Sequence, residues 1–177
     1  MRIIAGKLGG RNFGSPKDEK THPMSEKIRG ALFNALGDIE GLSVLDACAG
    51  SGAISFEAIS RGAEFVQMID NSRQAIDSIE KSIQELGIED TTKLTQANCA
   101  SWSDNSLEQK FDLIFCDPPF DKLNTGHLEK LSRHLKQNGL MVLSFIGRRS
   151  APTVNGVVVV DSRLHGDAAL AFYRQEA

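Results

Sequence analysis

The sequence is short of cysteine, of long apolar runs and of repeats, and each shortage closes off a class of protein. Its three cysteines, Cys48, Cys99 and Cys116, are far apart. No two stand in a Cys-x-x-Cys arrangement, which argues against a disulfide framework or a zinc site. The four histidines add no ligand spacing, so no metal is expected. No stretch approaches the roughly 20 apolar residues that span a bilayer. The opening MRIIAGKLGG has no apolar signal-peptide core. A monomeric cytoplasmic protein without membrane contact is the expectation. At 177 residues, with 41% apolar and 24% charged residues, the chain can bury a core of its own as essentially one domain.

The net charge of −3 does not suggest a polyanion partner, but its distribution is uneven. Residues 1–30 hold seven basic residues (Arg2, Lys7, Arg11, Lys17, Lys20, Lys27, Arg29) against three acids. A basic opening on an acidic body is a hint of nucleic-acid contact.

RIIAGKLGGRNFGS reads as two short strands around a Gly-rich turn. Met24, Ile28, Ala31, Leu32, Ala35 and Leu36 fall on one helical face that stops at Gly37. After Gly41 strands and helices alternate. LSVLDA, EFVQMID, TKLTQA, FDLIFCD and LMVLSFI read as strands. A helix carrying Ile76, Ile79, Ile83 and Leu86 follows the second of them. Another carries Leu128, Leu131 and Leu135 and stops at Gly139. GVVVVDSRL and ALAFYRQ close the chain as an antiparallel hairpin. The pattern predicts an α/β fold, a Rossmann-like, seven-stranded, mostly parallel sheet with helices on both faces. The first 40 residues are expected to be a basic extension, and residues 41–177 the catalytic domain.

VLDACAGSGAISFE is a strand, a glycine turn and a helix. Gly50 and Gly52 match the first two glycines of a dinucleotide fingerprint, Ser55 takes the third place, and Asp70 follows at the ribose-binding distance. Asp46 argues against a dinucleotide. It ends the strand where a pyrophosphate would lie and would repel it, whereas it suits an ammonium group. S-adenosylmethionine has an ammonium, a ribose for Asp70 and no phosphate. Asn98, at the end of the third strand, is placed to meet adenine or a nearby water.

FDLIFCDPPFDK ends a strand on Asp117-Pro118-Pro119-Phe120. The amine of a nucleobase is a poor nucleophile because its lone pair is delocalised. Two acceptors, the Asp117 carboxylate and the Pro118 carbonyl, would bind its hydrogens and favour a tetrahedral nitrogen. Phe120 could stack on a base taken out of its helix. Methylation at pyrimidine C5 would need an activated cysteine, and none of the three has an evident base.

With these residues in view, the chain resembles the RsmD family of bacterial 16S rRNA guanine-N2 methyltransferases. The resemblance rests on RIIAGKLGGR, EKIRGALFNALG, DACAGSGAISFEAISRGA, DPPF and LHGDAALAFYRQ. It implies a class I methyltransferase fold and methylation of N2 of guanine 966 with S-adenosylmethionine. It further implies that Asp46, Ala49, Gly50, Ser51, Gly52, Asp70, Asn71, Asn98 and Cys99 hold the cofactor. Asp117, Pro118, Pro119 and Phe120 would hold the guanine. Arg2, Lys7, Arg11, His22, Lys27 and Arg29 would contact the rRNA of the small subunit. The chain departs from the family pattern at His22-Pro23-Met24, where Arg-Pro-Thr is usual, and at His165-Gly166 in place of Tyr-Gly. An adenine-N6 acceptor, a protein amide, a catalytically silent binding module and a nicotinamide enzyme are the competing readings.

Overall fold

The computed structural model describes residues 1–17 and 23–176. His22 lies outside them. The elements are α1 (Glu26–Leu36), β1 (Ser43–Asp46), α2 (Ala53–Ser60), β2 (Phe65–Asp70), α3 (Arg73–Leu86), β3 (Thr92–Gln96), α4 (Cys99–Asp104), β4 (Phe111–Cys116), α5 (Thr125–Ser132), β5 (Leu135–Ile146), β6 (Val157–His165) and β7 (Ala168–Gln175). They build one seven-stranded sheet in the order β3-β2-β1-β4-β5-β7-β6. The first five strands are parallel, and β7 joins β5 antiparallel. β6 therefore forms the sheet edge, as the closing hairpin predicted. The strand order reverses between β1 and β4, where the ends of both strands open on the same side. No helix among the described residues is long and apolar enough to cross a membrane.

Two apolar layers cover the sheet. One combines Phe13, Leu32, Phe33, Phe56, Ile59, Ile79 and Ile83 with Val44, Met68 and Phe115. The other combines Trp102, Leu128 and Leu131 with Leu45, Ile114, Leu143 and Tyr173. The first layer runs without a break across residue 40, because Ile3, Phe13, Leu32 and Phe33 share it with the strands. The face of α3 read from Ile76, Ile79, Ile83 and Leu86 is its buried face.

One local expectation is narrowed and one is corrected. The opening segment pairs antiparallel about its Gly-rich turn, but over too short a stretch to form two strands. Met1 and Phe13 exchange backbone hydrogen bonds at 2.9 Å and the Ile3 amide donates to the Arg11 carbonyl at 2.9 Å, around a bridge of Arg2 with Asn12, and the turn packs on α2. The Lys7 and Leu8 amides donate to the Ser60 carbonyl at 2.8 Å and to Ser60 Oγ at 2.9 Å. Gly6 sits at φ 83°, where a Cβ would overlap the Ser60 carbonyl oxygen at 1.9 Å, so only glycine fits. The helix expected to carry Leu135 ends at Ser132. Leu135 instead opens β5 opposite Phe111, and the register shifts before Leu113. Leu135 is apolar because it enters the layer beneath β4, and its four-residue spacing from Leu131 imitates a helix. The residues after β3 form α4, with Asn98 as its N-cap.

Glu57 ties the opening segment to the body. It is fully buried on α2 and accepts from the Ile4 and Ala5 amides at 2.8 and 3.1 Å. Arg61 Nε meets it at 2.8 Å and the buried Arg29 Nε at 3.4 Å. Arg29 completes the junction by donating to the Arg2 carbonyl at 2.6 Å. Its expected contact with RNA is therefore corrected. The side chain has no exposed surface, and burial lowers its pKa, the mark of a structural cation rather than a phosphate ligand.

Candidate active site

The carboxyl ends of β1, β2 and β4 bring three carboxylates to one edge of the sheet. Asp46 ends β1, Asp70 ends β2, and Asp117 follows β4. In an open parallel sheet, ligands bind in the crevice at this edge, where the strand order reverses.

Asp46 is buried. Its Oδ2 accepts from Ser55 Oγ at 2.6 Å. This explains why serine occupies the third fingerprint position: its hydroxyl holds the carboxylate. The other oxygen, Oδ1, has no hydrogen-bond partner among the described residues. Burial pushes the Asp46 pKa up to about 7, the Ser55 hydroxyl opposes that shift, and the nearby Asp117 and Asp70 charges add to it. An unsatisfied buried anion is costly, so the site favours a cationic ligand group.

The sign for stability follows from the raised value. An unfolded aspartate titrates near 3.9, so between about pH 4 and 7 the native state keeps a proton that the unfolded chain has released. This contribution is complete at low pH and is lost as pH rises through about 7. Near pH 8 and without cofactor, Asp46→Asn is expected to melt several degrees above the parent protein, with the gap closing towards pH 4. Thermal melts at the two pH values check this.

Asp70 shapes the glycine turn. Its oxygens accept from the Gly50 and Ser72 amides, each at 2.8 Å, and two of its four lone-pair sites remain. Gly52 caps α2 at φ 79°, and a Cβ there would lie 2.7 Å from the Phe56 ring. Ala49 and Ser51 are buried beside it, and Asn71 is exposed just past Asp70. The Asn98 side-chain Oδ1 caps α4, accepting from the Ala100 and Ser101 amides at 2.9 and 3.4 Å. Only its amide group is left for a ligand. Cys99 lies 4.0 Å from His127 Nδ1. The neighbouring Cys48 thiol lowers the Cys99 pKa.

Asp117 lines a narrow cleft with Met24, Leu32, Ile54, Val142 and Ser144. Burial raises its pKa to about 6, and the neighbouring Ser144 hydroxyl opposes the shift. Neither Met24 nor Ser144 was picked out from the sequence as a site residue. The available signal for Ser144 was a lone hydroxyl near the end of the apolar run LMVLSFI. Phe120, three residues further along the turn, is 40% exposed and lines a second pocket with Leu123, Phe145 and Arg149.

The basic residues of the opening segment divide. Lys7 and Lys27 are exposed and make no ion pair among the described residues. Arg2 pairs with Glu26 at 2.8 Å. Arg11 donates to the Glu85 and Leu86 carbonyls at 2.6 and 3.1 Å. It thereby supplies α3 with the C-terminal cation that the helix lacks in its own last turn.

The reversing parallel sheet, the glycine turn and the antiparallel closing hairpin define a class I S-adenosylmethionine-dependent methyltransferase fold. The ribosomal protein L11 methylase of Lactobacillus delbrueckii subsp. bulgaricus has the same fold, with a TM-score of 0.65 and 18% identity over 85% of this chain and 78% of that one. The solved structure of yhhF from Escherichia coli matches with a TM-score of 0.86 and 28% identity over 100% of this chain and 98% of its own. Ribosomal RNA small subunit methyltransferase D of Escherichia coli K12 is 30% identical over 188 residues, which is 100% of this chain and 91% of the relative. The family model described as Conserved hypothetical protein 95 matches residues 1–174. The chain belongs to this family, the RsmD methyltransferases.

Proposed function

We propose that the protein transfers a methyl group from S-adenosylmethionine to the N2 amine of a guanine in the 16S rRNA of the small ribosomal subunit. One observation carries the reading of the site. Three carboxylates meet at the cofactor edge, and Asp46 among them is buried with one oxygen unpartnered. That is a site for a cation, unsuited to a pyrophosphate. The ribosomal acceptor is supported by kinship with the relative named Ribosomal RNA small subunit methyltransferase D.

The bound cofactor supplies a methyl group activated by a sulfonium. Asp46 Oδ1 receives the ammonium of the ligand, and the free lone pairs of Asp70 receive the ribose hydroxyls. Gly50 and Gly52 let the backbone come close, with Ala49, Ser51, Asn71, Asn98 and Cys99 forming the rest of the wall. Asp117 and the Pro118 carbonyl take the two amine hydrogens of the base, and Pro119 stiffens the turn. A carboxylate with a pKa of about 6 is also a competent acceptor for the proton released after transfer. The first 40 residues present the acceptor surface through Lys7, Lys27 and the mouth of the cleft at Met24.

Asp46→Asn is expected to weaken S-adenosylhomocysteine at least about 30-fold, because it removes the charged partner of the buried ammonium. Isothermal titration measures it. For the reaction, small subunits lacking the modification are incubated with tritiated S-adenosylmethionine and the labelled nucleotide is mapped. Label on a guanine N2 is expected. Label on adenine, on protein, or none at all sinks the assignment.

A further inference from the structure

The carboxylate that ends β1 has one side-chain contact, and it comes from a position where a dinucleotide fingerprint has no polar group to give. The third fingerprint residue is glycine or alanine, there for close packing of helix on strand. Here it is Ser55, in the first turn of α2. A serine inside a helix often returns its hydroxyl to a carbonyl of the preceding turn. Ser55 instead donates across to β1, to Asp46 Oδ2 at 2.6 Å. Both residues are buried, so solvent does not compete for this bond. The other polar side chains of α2, Glu57 and Ser60, are turned to the opening segment. Asp46 Oδ1 is left buried without a partner among the described residues. The titratable groups around the carboxylate are Asp117, Asp70, Cys48 and Cys116, and none of them brings a positive charge. Burial and the two acids oppose its ionisation. The Ser55 hydroxyl is the strongest influence in favour, and the Cys48 amide adds a weaker one.

We propose that Ser55 is a positioning residue of cofactor binding: its hydroxyl holds one oxygen of Asp46 in place and favours the charged carboxylate, and the other oxygen is left for the ammonium. The proposal rests on the cofactor reading above and assigns the cofactor's affinity to a pair of residues rather than to Asp46 alone. A hydrogen bond donated to a carboxylate is stronger than one donated to the neutral acid, so the hydroxyl draws the site towards its anionic form. With the Asp46 pKa at about 7, the empty site is mostly protonated below that pH. An ammonium binds the ionised form, so the carboxyl proton passes to solvent as the ligand arrives. Affinity should therefore level off above about pH 7 and fall towards tenfold per unit below it, and binding near pH 6 should release about one proton.

The test is isothermal titration of S-adenosylhomocysteine into wild type, Ser55→Ala, Asp46→Asn and the double variant, from about pH 6 to about pH 8.5. Two buffers of different ionisation enthalpy at the low end count the proton released. Wild type is expected to lose about tenfold in affinity from the high to the low end. Ser55→Ala should bind about tenfold more weakly than wild type at pH 7, the loss of one hydrogen bond to a charged group. Its limb should lie at higher pH, so that the gap narrows to about threefold or less at the high end. In Asp46→Asn the limb should vanish, and adding Ser55→Ala should then change the affinity by less than about twofold. A Ser55→Ala loss of equal size at every pH overturns the proposal and leaves the serine a packing role. A loss of undiminished size in the Asp46→Asn background also overturns it, by assigning the effect to damage in the fold. Ser55→Ala that binds as wild type does at pH 7 overturns it as well. Wild type that binds no S-adenosylhomocysteine at any pH overturns the cofactor reading, and this inference with it.

Discussion

Asp117→Ala is expected to slow methyl transfer about a thousandfold while leaving cofactor binding intact. The carboxylate is one of two acceptors proposed to hold the amine, and removing one preorganised polar partner of a transition state costs on the order of 10²–10³ in rate. The cofactor should not suffer. The Asp117 charge is among the causes that raise the pKa of Asp46, so its removal lets Asp46 ionise more readily. S-adenosylhomocysteine should bind Asp117→Ala as tightly as wild type, or more tightly. Single-turnover transfer and isothermal titration on the same preparation separate this outcome from unfolding, which would lose both. Asp117→Asn keeps an acceptor without the charge and should lose less, about ten- to a hundredfold.

The same residue sets the pH dependence. Asp117 works as an acceptor only when ionised, and its pKa is about 6. The transfer rate should be flat above about pH 7 and fall towards tenfold per unit below about 6. In Asp117→Asn that acid limb should vanish. The neighbouring Ser144 hydroxyl lowers the Asp117 pKa, so in Ser144→Ala the limb should move to higher pH. A limb that stays in place in Asp117→Asn assigns the titration to another group.

Much of this arrangement was legible in the sequence because it is written in short-range chemistry. A glycine turn between a strand and a helix, or a strand ended by Asp-Pro-Pro, has few structural meanings. Those two stretches locate both carboxylate-bearing strand ends, and alternation of elements makes them neighbours. What was hidden depends on long-range partners. Arg29 has the spacing of the buried face, three and seven residues before Leu32 and Leu36, but its charge argues for the surface, and nothing beside it announces that Glu57 lies buried opposite. Leu135 keeps helical spacing from Leu131 yet belongs to β5. The RIIAGKLGGR hairpin is readable from its glycines, but nothing local reports that its turn amides serve Ser60, 52 residues away for Leu8.

Glu57→Ala is expected to cost about 3–5 kcal/mol of stability, the usual penalty for leaving a buried ionic partner alone. Glu57 accepts two backbone amides and faces two arginines. Its loss strands the Ile4 and Ala5 donors and the fully buried Arg29. For a chain of this length the change corresponds to a fall in Tm of roughly 10 °C. Arg29 is the larger part of that cost, so Arg29→Met in the Glu57→Ala background should restore part of the loss, because a buried pair replaced by apolar side chains is often near neutral. Denaturant melts of the single and double variants measure the coupling. Additive losses would show that the two residues do not act as a pair. The junction also bears on catalysis. Arg29 belongs to α1, whose buried Leu32 lines the cleft of Asp117 together with Met24, two residues before the helix. Glu57 belongs to α2, which starts at the cofactor turn. Loosening it should raise the KM for subunits before it affects S-adenosylhomocysteine, since the glycine turn is held separately by Asp70.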